Sequence, residues 1–239
     1  DPSYTGESGG EPRHVASPDI NTEDFSAAVD FLSNQDNINP EQIGILGICG
    51  FGGFALNAAS MDTRIKATVT STMYDMSRVN TNGYFDSMDE KARYEQKKVL
   101  NKQRTEDFKN GVYTPGSGLP EKLTGNEPQF VKDYFGYYKT ERGFHKRSIN
   151  SNGAWNMTSS LSFMNMPILE YSGEIQNAVL MLHGENAHSR YFSEDAYKKL
   201  KGKNKELLII KGANHVDLYN NLEKIPFDKI EKFYKENLK

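Results

Sequence analysis

Apolar residues fall along this chain in two kinds of pattern, and the alternation between them predicts the fold class. Residues 42–48, QIGILGI, are a short apolar run with no polar alternation, the mark of a strand buried on both faces. Residues 64–71, RIKATVTS, predict a second strand, 178–182, AVLML, a third, and 206–210, ELLII, a fourth. Between them the period changes. Residues 21–34 place Phe25, Ala28, Val29 and Leu32 on one face of a helix, with Thr22 as its N-cap and Glu23 and Asp24 in its first turn. Residues 54–60 and 193–200 also read as helices, and 225–238 closes the chain with Phe227, Ile230, Phe233 and Tyr234 at helical spacing. Strand, Gly-rich turn, helix and strand make a βαβ unit, so the sheet is expected to be parallel.

Two stretches depart from this alternation. Residues 1–21 are rich in Gly, Ser and Pro and read as loop. Residues 73–175 form a charged, aromatic insert with helical patterns over 89–110 and 128–138. Lying between strands of an α/β sheet, such an insert is expected at the carboxyl edge as a lid or substrate wall. The expectation is one α/β domain over residues 1–239: a mostly parallel sheet flanked by helices, with a helical lid inserted.

Composition narrows the function classes. The chain has 239 residues with 36% hydrophobic and 26% charged positions, and its 13 Tyr, 13 Phe and 8 Met supply core material. A net charge of -3 with no basic run argues against a nucleic-acid partner. No apolar run approaches the ~18 residues that span a bilayer, so no membrane partner is expected. One cysteine rules out an intrachain disulfide and fits a reducing, cytoplasmic setting. The His spacing lacks HxxxH or HxH, and GFGG lacks the Lys-Ser/Thr of a phosphate loop, so neither metal nor cofactor is expected.

The chemistry-bearing residues gather at predicted strand ends. Gly47-Ile48-Cys49-Gly50-Phe51-Gly52-Gly53 follows the first strand, with the small residues that a sharp strand-to-helix turn needs. A nucleophile on such a turn stands exposed, a helix start behind a thiol favours its thiolate, and the N–H of Gly50 can donate to an oxyanion. The bland reading of Cys49 is a small buried hydrophobe at a strand end. Gly212-Ala213-Asn214-His215 follows the last strand, where ligands of parallel sheets bind. His183-Gly184-Glu185-Asn186-Ala187 follows the third. Glu185 is the available carboxylate to orient His215, Asp75 is its rival, and Asp217 serves the local loop.

The succession GICGFGG, RIKATV, AVLMLHGENAHS and GANHVDLY resembles the α/β-hydrolase superfamily, and within it the dienelactone-hydrolase-like and peptidase-like bacterial hydrolases. DPSYTGESGG resembles the loop after that family's fourth strand. The resemblance implies a hydrolase of a carboxylic ester, lactone or related acyl substrate, with Cys49, His215 and Glu185 (or Asp75) in nucleophile, base and acid roles. Three departures stand out. The family elbow is Gly-x-nucleophile-x-Gly, and Phe51 occupies the second glycine position. Ala187 occupies the usual Asp column. The family's first strands are absent before Asp1, so the strand at 42–48 would be a bare edge that either a preceding segment or a homo-oligomer would complete. The alternative reading is a hydrolase fold impaired in catalysis that serves as a binding or interaction protein.

Overall fold

A computed structural model describes residues 1–239. The chain forms two compact units. One comprises residues 22–76 and 168–239, the other residues 1–21 and 77–167. Two helices, α1 (Pro18–Ser33) and α3 (Met76–Asn82), carry the chain across the boundary.

The first unit is the sheet unit. Its strands β1 (Ile43–Ile48), β2 (Ile65–Ser71), β3 (Ala178–Gly184) and β4 (Lys205–Ile210) lie in the order β1-β2-β3-β4, all parallel. Parallel strands need crossovers: α2 (Gly50–Met61) lies between β1 and β2, α8 (Arg190–Lys199) between β3 and β4, and the chain between β2 and β3 passes through the second unit. The short helix α9 (Asp217–Asn220) and α10 (Phe227–Asn237) end the chain. The two faces of the sheet follow from its period of two. Ala67 and Val69 on β2 and Ala178, Leu180 and Leu182 on β3 turn toward Phe233 of α10, with Ile230, Tyr234 and Leu238 packed around them. Val179, Met181 and His183 alternate with these on β3 and so point to the other face, where α8 packs. β1 is an edge strand, and Leu46 and Ile48 on it are 41% and 40% exposed.

Helix α1 begins at Pro18, a turn earlier than the helical period predicts. Proline is favoured at the first helical position because its missing N–H would be orphaned there anyway. Asn21 ties the start down by accepting from Ser17 N–H at 3.0 Å. The Thr22 hydroxyl, expected to cap this helix, instead accepts from Asn57 Nδ2 at 2.8 Å, inside the sheet unit.

The second unit is helical. It holds α4 (Glu90–Asn110), α5 (Gln129–Tyr138), α6 (Ile149–Asn152) and α7 (Ser159–Asn165). Asp89 caps α4 by accepting from Ala92 N–H at 2.7 Å, and Gly111 closes it in the left-handed conformation. The N-terminal loop belongs to this unit: Ala16 N–H donates to Ser159 Oγ at 3.1 Å and Asn156 N–H to the His14 carbonyl at 2.9 Å. No helix is long and apolar enough to cross a membrane.

Candidate active site

The carboxyl ends of β1, β2, β3 and β4 deliver the chemistry-bearing side chains of the sheet unit. At the end of β1 the backbone of Cys49 takes φ 58° and ψ −127°, then enters α2 at the next residue. A side-chain-bearing residue rarely adopts positive φ, and one held there stores strain in the turn. The turn is pinned from both sides. Cys49 N–H donates to the Ser71 carbonyl at 3.0 Å, and the Cys49 carbonyl accepts from Gly52 N–H at 3.0 Å and Tyr74 N–H at 2.9 Å. Cys49 itself is half-buried. Gly50 opens α2, so its N–H has no acceptor within the helix.

Phe51 does not break this turn. Its ring packs against Phe25 of α1 and Phe54 of α2, at centroid distances of 6.3 and 5.3 Å. The close approach expected of a glycine at that position passes to its neighbours. A Cβ on Gly52 would press on Met73 at 3.0 Å, and one on Gly53 would run into the Tyr74 carbonyl.

His215 lies at the end of the loop after β4. That loop is held by the Ala213 N–H bond to the Ile210 carbonyl, at 3.3 Å, and by paired bonds between Asn214 and Asp217 of 3.0 and 2.9 Å. Asp217 thus serves the local loop, as its spacing suggests. The imidazole is 2% exposed. Its Nδ1 meets Ser189 Oγ at 2.6 Å and Thr72 Oγ1 at 2.8 Å, while Nε2 meets Tyr219 Oη at 2.9 Å. Tyr74 links the two halves of the site. Its backbone holds the Cys49 carbonyl, and its ring stands edge-on to the His215 ring at 5.2 Å.

Behind Ser189 lies a second imidazole. His183 ends the apolar run of β3 and is fully buried, with Nε2 at 2.9 Å from Ser189 Oγ and Nδ1 at 2.7 Å from Ser193 Oγ. A third, His188, is hydrogen-bonded through Nε2 to the Tyr74 hydroxyl, and its ring lies 5.6 Å from that of His215. Burial pushes all three imidazoles down. His183 falls to about 3, with smaller contributions from His188 and Arg190, and His188 falls to about 4. His215 is held well below its ordinary value by burial, then by His183 and His188. All three are neutral at pH 7, the form in which an imidazole can act as a base.

Of the two expected acids, Glu185 is directed away from His215. Glu185 is exposed, and its Oε2 accepts from Gly212 N–H at 2.8 Å, which ties the two loops after β3 and β4 together. The side chain is directed at backbone on the rim, while the nitrogen that a triad acid would hold is met by the hydroxyls of Ser189 and Thr72. Asp75 is half-buried one residue beyond Tyr74. Thr72, Tyr74, His183, Ser189 and Tyr219 were not among the residues singled out by the sequence for the site. A signal for one was present: a histidine ending an unbroken apolar strand is buried and must find partners, and two serines follow within one helical turn of each other. The Ser189 hydroxyl is wholly buried between two imidazoles and so is no nucleophile for an outside substrate.

The family described as BAAT / Acyl-CoA thioester hydrolase C terminal matches residues 20–122. Hypothetical protein PA2218 of Pseudomonas aeruginosa is 58% identical over 240 residues, which span all of this chain and 64% of that protein. The crystal structure of PA2218 superposes with a TM-score of 0.95 at 57% identity, covering the whole chain and 74% of the crystallised one. The α/β hydrolase GrgF from Penicillium sp. sh18 shares the fold, with a TM-score of 0.78 at 19% identity over all of this chain and 78% of its own. This chain has the α/β-hydrolase fold. A shorter likeness joins this hydrolase-fold chain to the thiohydrolase aneE of Aspergillus aculeatus, 40% identical over 70 residues, 29% of this chain and 22% of aneE. In that fold, the turn from β1 into α2 occupies the position of the nucleophile elbow, and the loops after β3 and β4 the positions where acid and base are carried in its hydrolases.

Proposed function

We propose that this chain hydrolyses an acyl substrate, a thioester, carboxylic ester or lactone, with Cys49 as nucleophile and His215 as base. The observation that carries the proposal is the backbone of Cys49. Positive φ at a strand-to-helix turn costs on the order of 1–3 kcal/mol for a residue with a side chain, and a buried structural thiol has no use for it. The thiol attacks the carbonyl carbon, and its proton passes to Nε2 of His215. The N–H of Gly50 donates to the developing oxyanion. The imidazolium returns that proton to the leaving thiolate or alkoxide, and the neutral imidazole then activates the water that releases the acid.

Thioesters lead the substrate classes for two reasons. The family description names acyl-CoA thioester hydrolases, and aneE is a thiohydrolase. The chemistry points the same way, because a thiolate with a conjugate pKa of ~8.5 departs with little help from an acid.

The test is hydrolysis of a short-chain acyl thioester and of the matching p-nitrophenyl ester by the full chain. Cys49→Ala and His215→Ala are each expected to lower kcat/KM by about 100-fold or more. Undiminished turnover in Cys49→Ala would remove the nucleophile from this scheme.

A further inference from the structure

We propose that Thr72, Ser189, His183 and Ser193 are positioning residues, which fix the proton of His215 on Nδ1 and so leave Nε2 as the base. The inference rests on His215 being the base of the site. In a triad a carboxylate on Nδ1 sets both the ring's orientation and its tautomer, and losing the right tautomer costs orders of magnitude in rate. Here the Ser189 and Thr72 hydroxyls stand on that nitrogen at 2.6 and 2.8 Å. A hydroxyl can donate as readily as accept, so by itself it chooses no tautomer. The choice must come from what lies behind it.

Behind both hydroxyls lies His183 Nε2, 2.9 Å from Ser189 Oγ and 3.5 Å from Thr72 Oγ1. A neutral imidazole has one N–H. If it is on His183 Nδ1, the nitrogen 2.7 Å from Ser193 Oγ, then Nε2 is an acceptor. Both hydroxyls then turn their protons toward His183 and present lone pairs to His215. His215 must answer with Nδ1–H, and its Nε2 lone pair accepts from the Tyr219 hydroxyl at 2.9 Å until a substrate arrives. The opposite direction puts the proton on Nε2 and leaves no base. With Nε2 of His215 as the base, the first direction holds, and Ser193 Oγ, 2.7 Å from His183 Nδ1, is the acceptor that ends the chain.

Two further observations support a positioning role. Thr72, His183, Ser189 and Ser193 are each 0% exposed, so water cannot scramble the chain of protons. Thr72 also holds φ 50°, a strained conformation for a β-branched residue, and this delivers its hydroxyl to the imidazole. Burial keeps His183 at about 3, so it stays neutral and retains a single N–H throughout the working pH range.

The test is a long-range proton–nitrogen NMR spectrum of the full chain with ¹⁵N-labelled histidine at pH 7.5 without substrate, alongside kinetics. His215 and His183 are both expected as Nδ1–H tautomers. Ser193→Ala, which touches His183 alone among the site residues, is expected to shift His215 toward a mixture and to lower kcat about tenfold with KM little changed. Ser189→Ala is expected to do more, and Ser189→Thr to restore most of the rate. Should Ser189→Ala fail to fold, Ser193→Ala carries the test alone. An Nε2–H tautomer of His215 in the unaltered chain, or a Ser193→Ala variant with unchanged tautomer and kcat, overturns the inference. Because the tautomer is read without turnover, a nucleophile other than Cys49 would leave this result standing.

Discussion

At the scale of single residues, the backbone turn at Cys49 is built from what its neighbours lack. A methyl group on Gly47 would sit 2.7 Å from Ala55 Cβ and 2.8 Å from Gly52 Cα, and closer still to the Phe51 carbonyl oxygen. Those atoms belong to α2, which cannot retreat without opening the turn. Gly47→Ala is therefore expected to destabilise the fold by about 3 kcal/mol, read as a drop in the urea midpoint at unchanged m-value. Gly136→Ala is the control, because its Cβ would meet nothing within 4 Å. That variant should be neutral or slightly stabilising, since alanine is the better helix former. The need for a small residue at Gly47 was legible in the sequence as part of a sharp strand-to-helix turn. The innocence of Phe51 was not. Which helical neighbour a ring faces depends on α1, a partner distant in sequence, and Phe25 supplies it.

At the scale of elements, the apolar runs predict the four strands to within a residue at their starts, but β1, expected to be buried on both faces, is an edge strand with Leu46 and Ile48 exposed. The end of β3 was less legible. Pairing continues through His183 and Gly184, which lie opposite Ile209 and Ile210, two residues beyond the last apolar side chain. A polar residue looks like a strand end to a hydrophobicity pattern, yet here it is a fully buried member of the site. The helices α3, α6, α7 and α9 have four to seven residues, too few for a helical period to register. Glu185 illustrates the limit for sites. A pattern search looks for a carboxylate in the loop after β3 and finds Glu185, but only the fold shows that its side chain turns to Gly212 while Ser189 turns inward.

At the scale of the whole molecule, the sheet unit buries three imidazoles in their neutral form, and this ties stability to pH. Folded His183 titrates near 3, against about 6.5 for an unfolded histidine. Below pH 6.5 the unfolded chain binds a proton that the folded chain refuses. The stabilising contribution is thus complete above pH 6.5 and is lost as pH falls from there toward 3. His183 alone costs about 1.4 kcal/mol for each pH unit in that window, and His188 and His215, lowered in the same direction, steepen the loss. Melting curves should show a nearly constant Tm from pH 8 to 7 and a progressive fall below 6.5. A Tm that is flat to pH 4.5 would mean that the three imidazoles are not held neutral by the fold.

The central claim is that Cys49 carries the acyl group. The most direct measurement is rapid acid quench of the full chain during turnover of a short-chain p-nitrophenyl ester, followed by peptide mass spectrometry. An added acyl mass is expected on the peptide that contains Cys49, formed within the first turnover and absent from Cys49→Ala. Acyl mass on any other residue, together with turnover retained in Cys49→Ala, would contradict it.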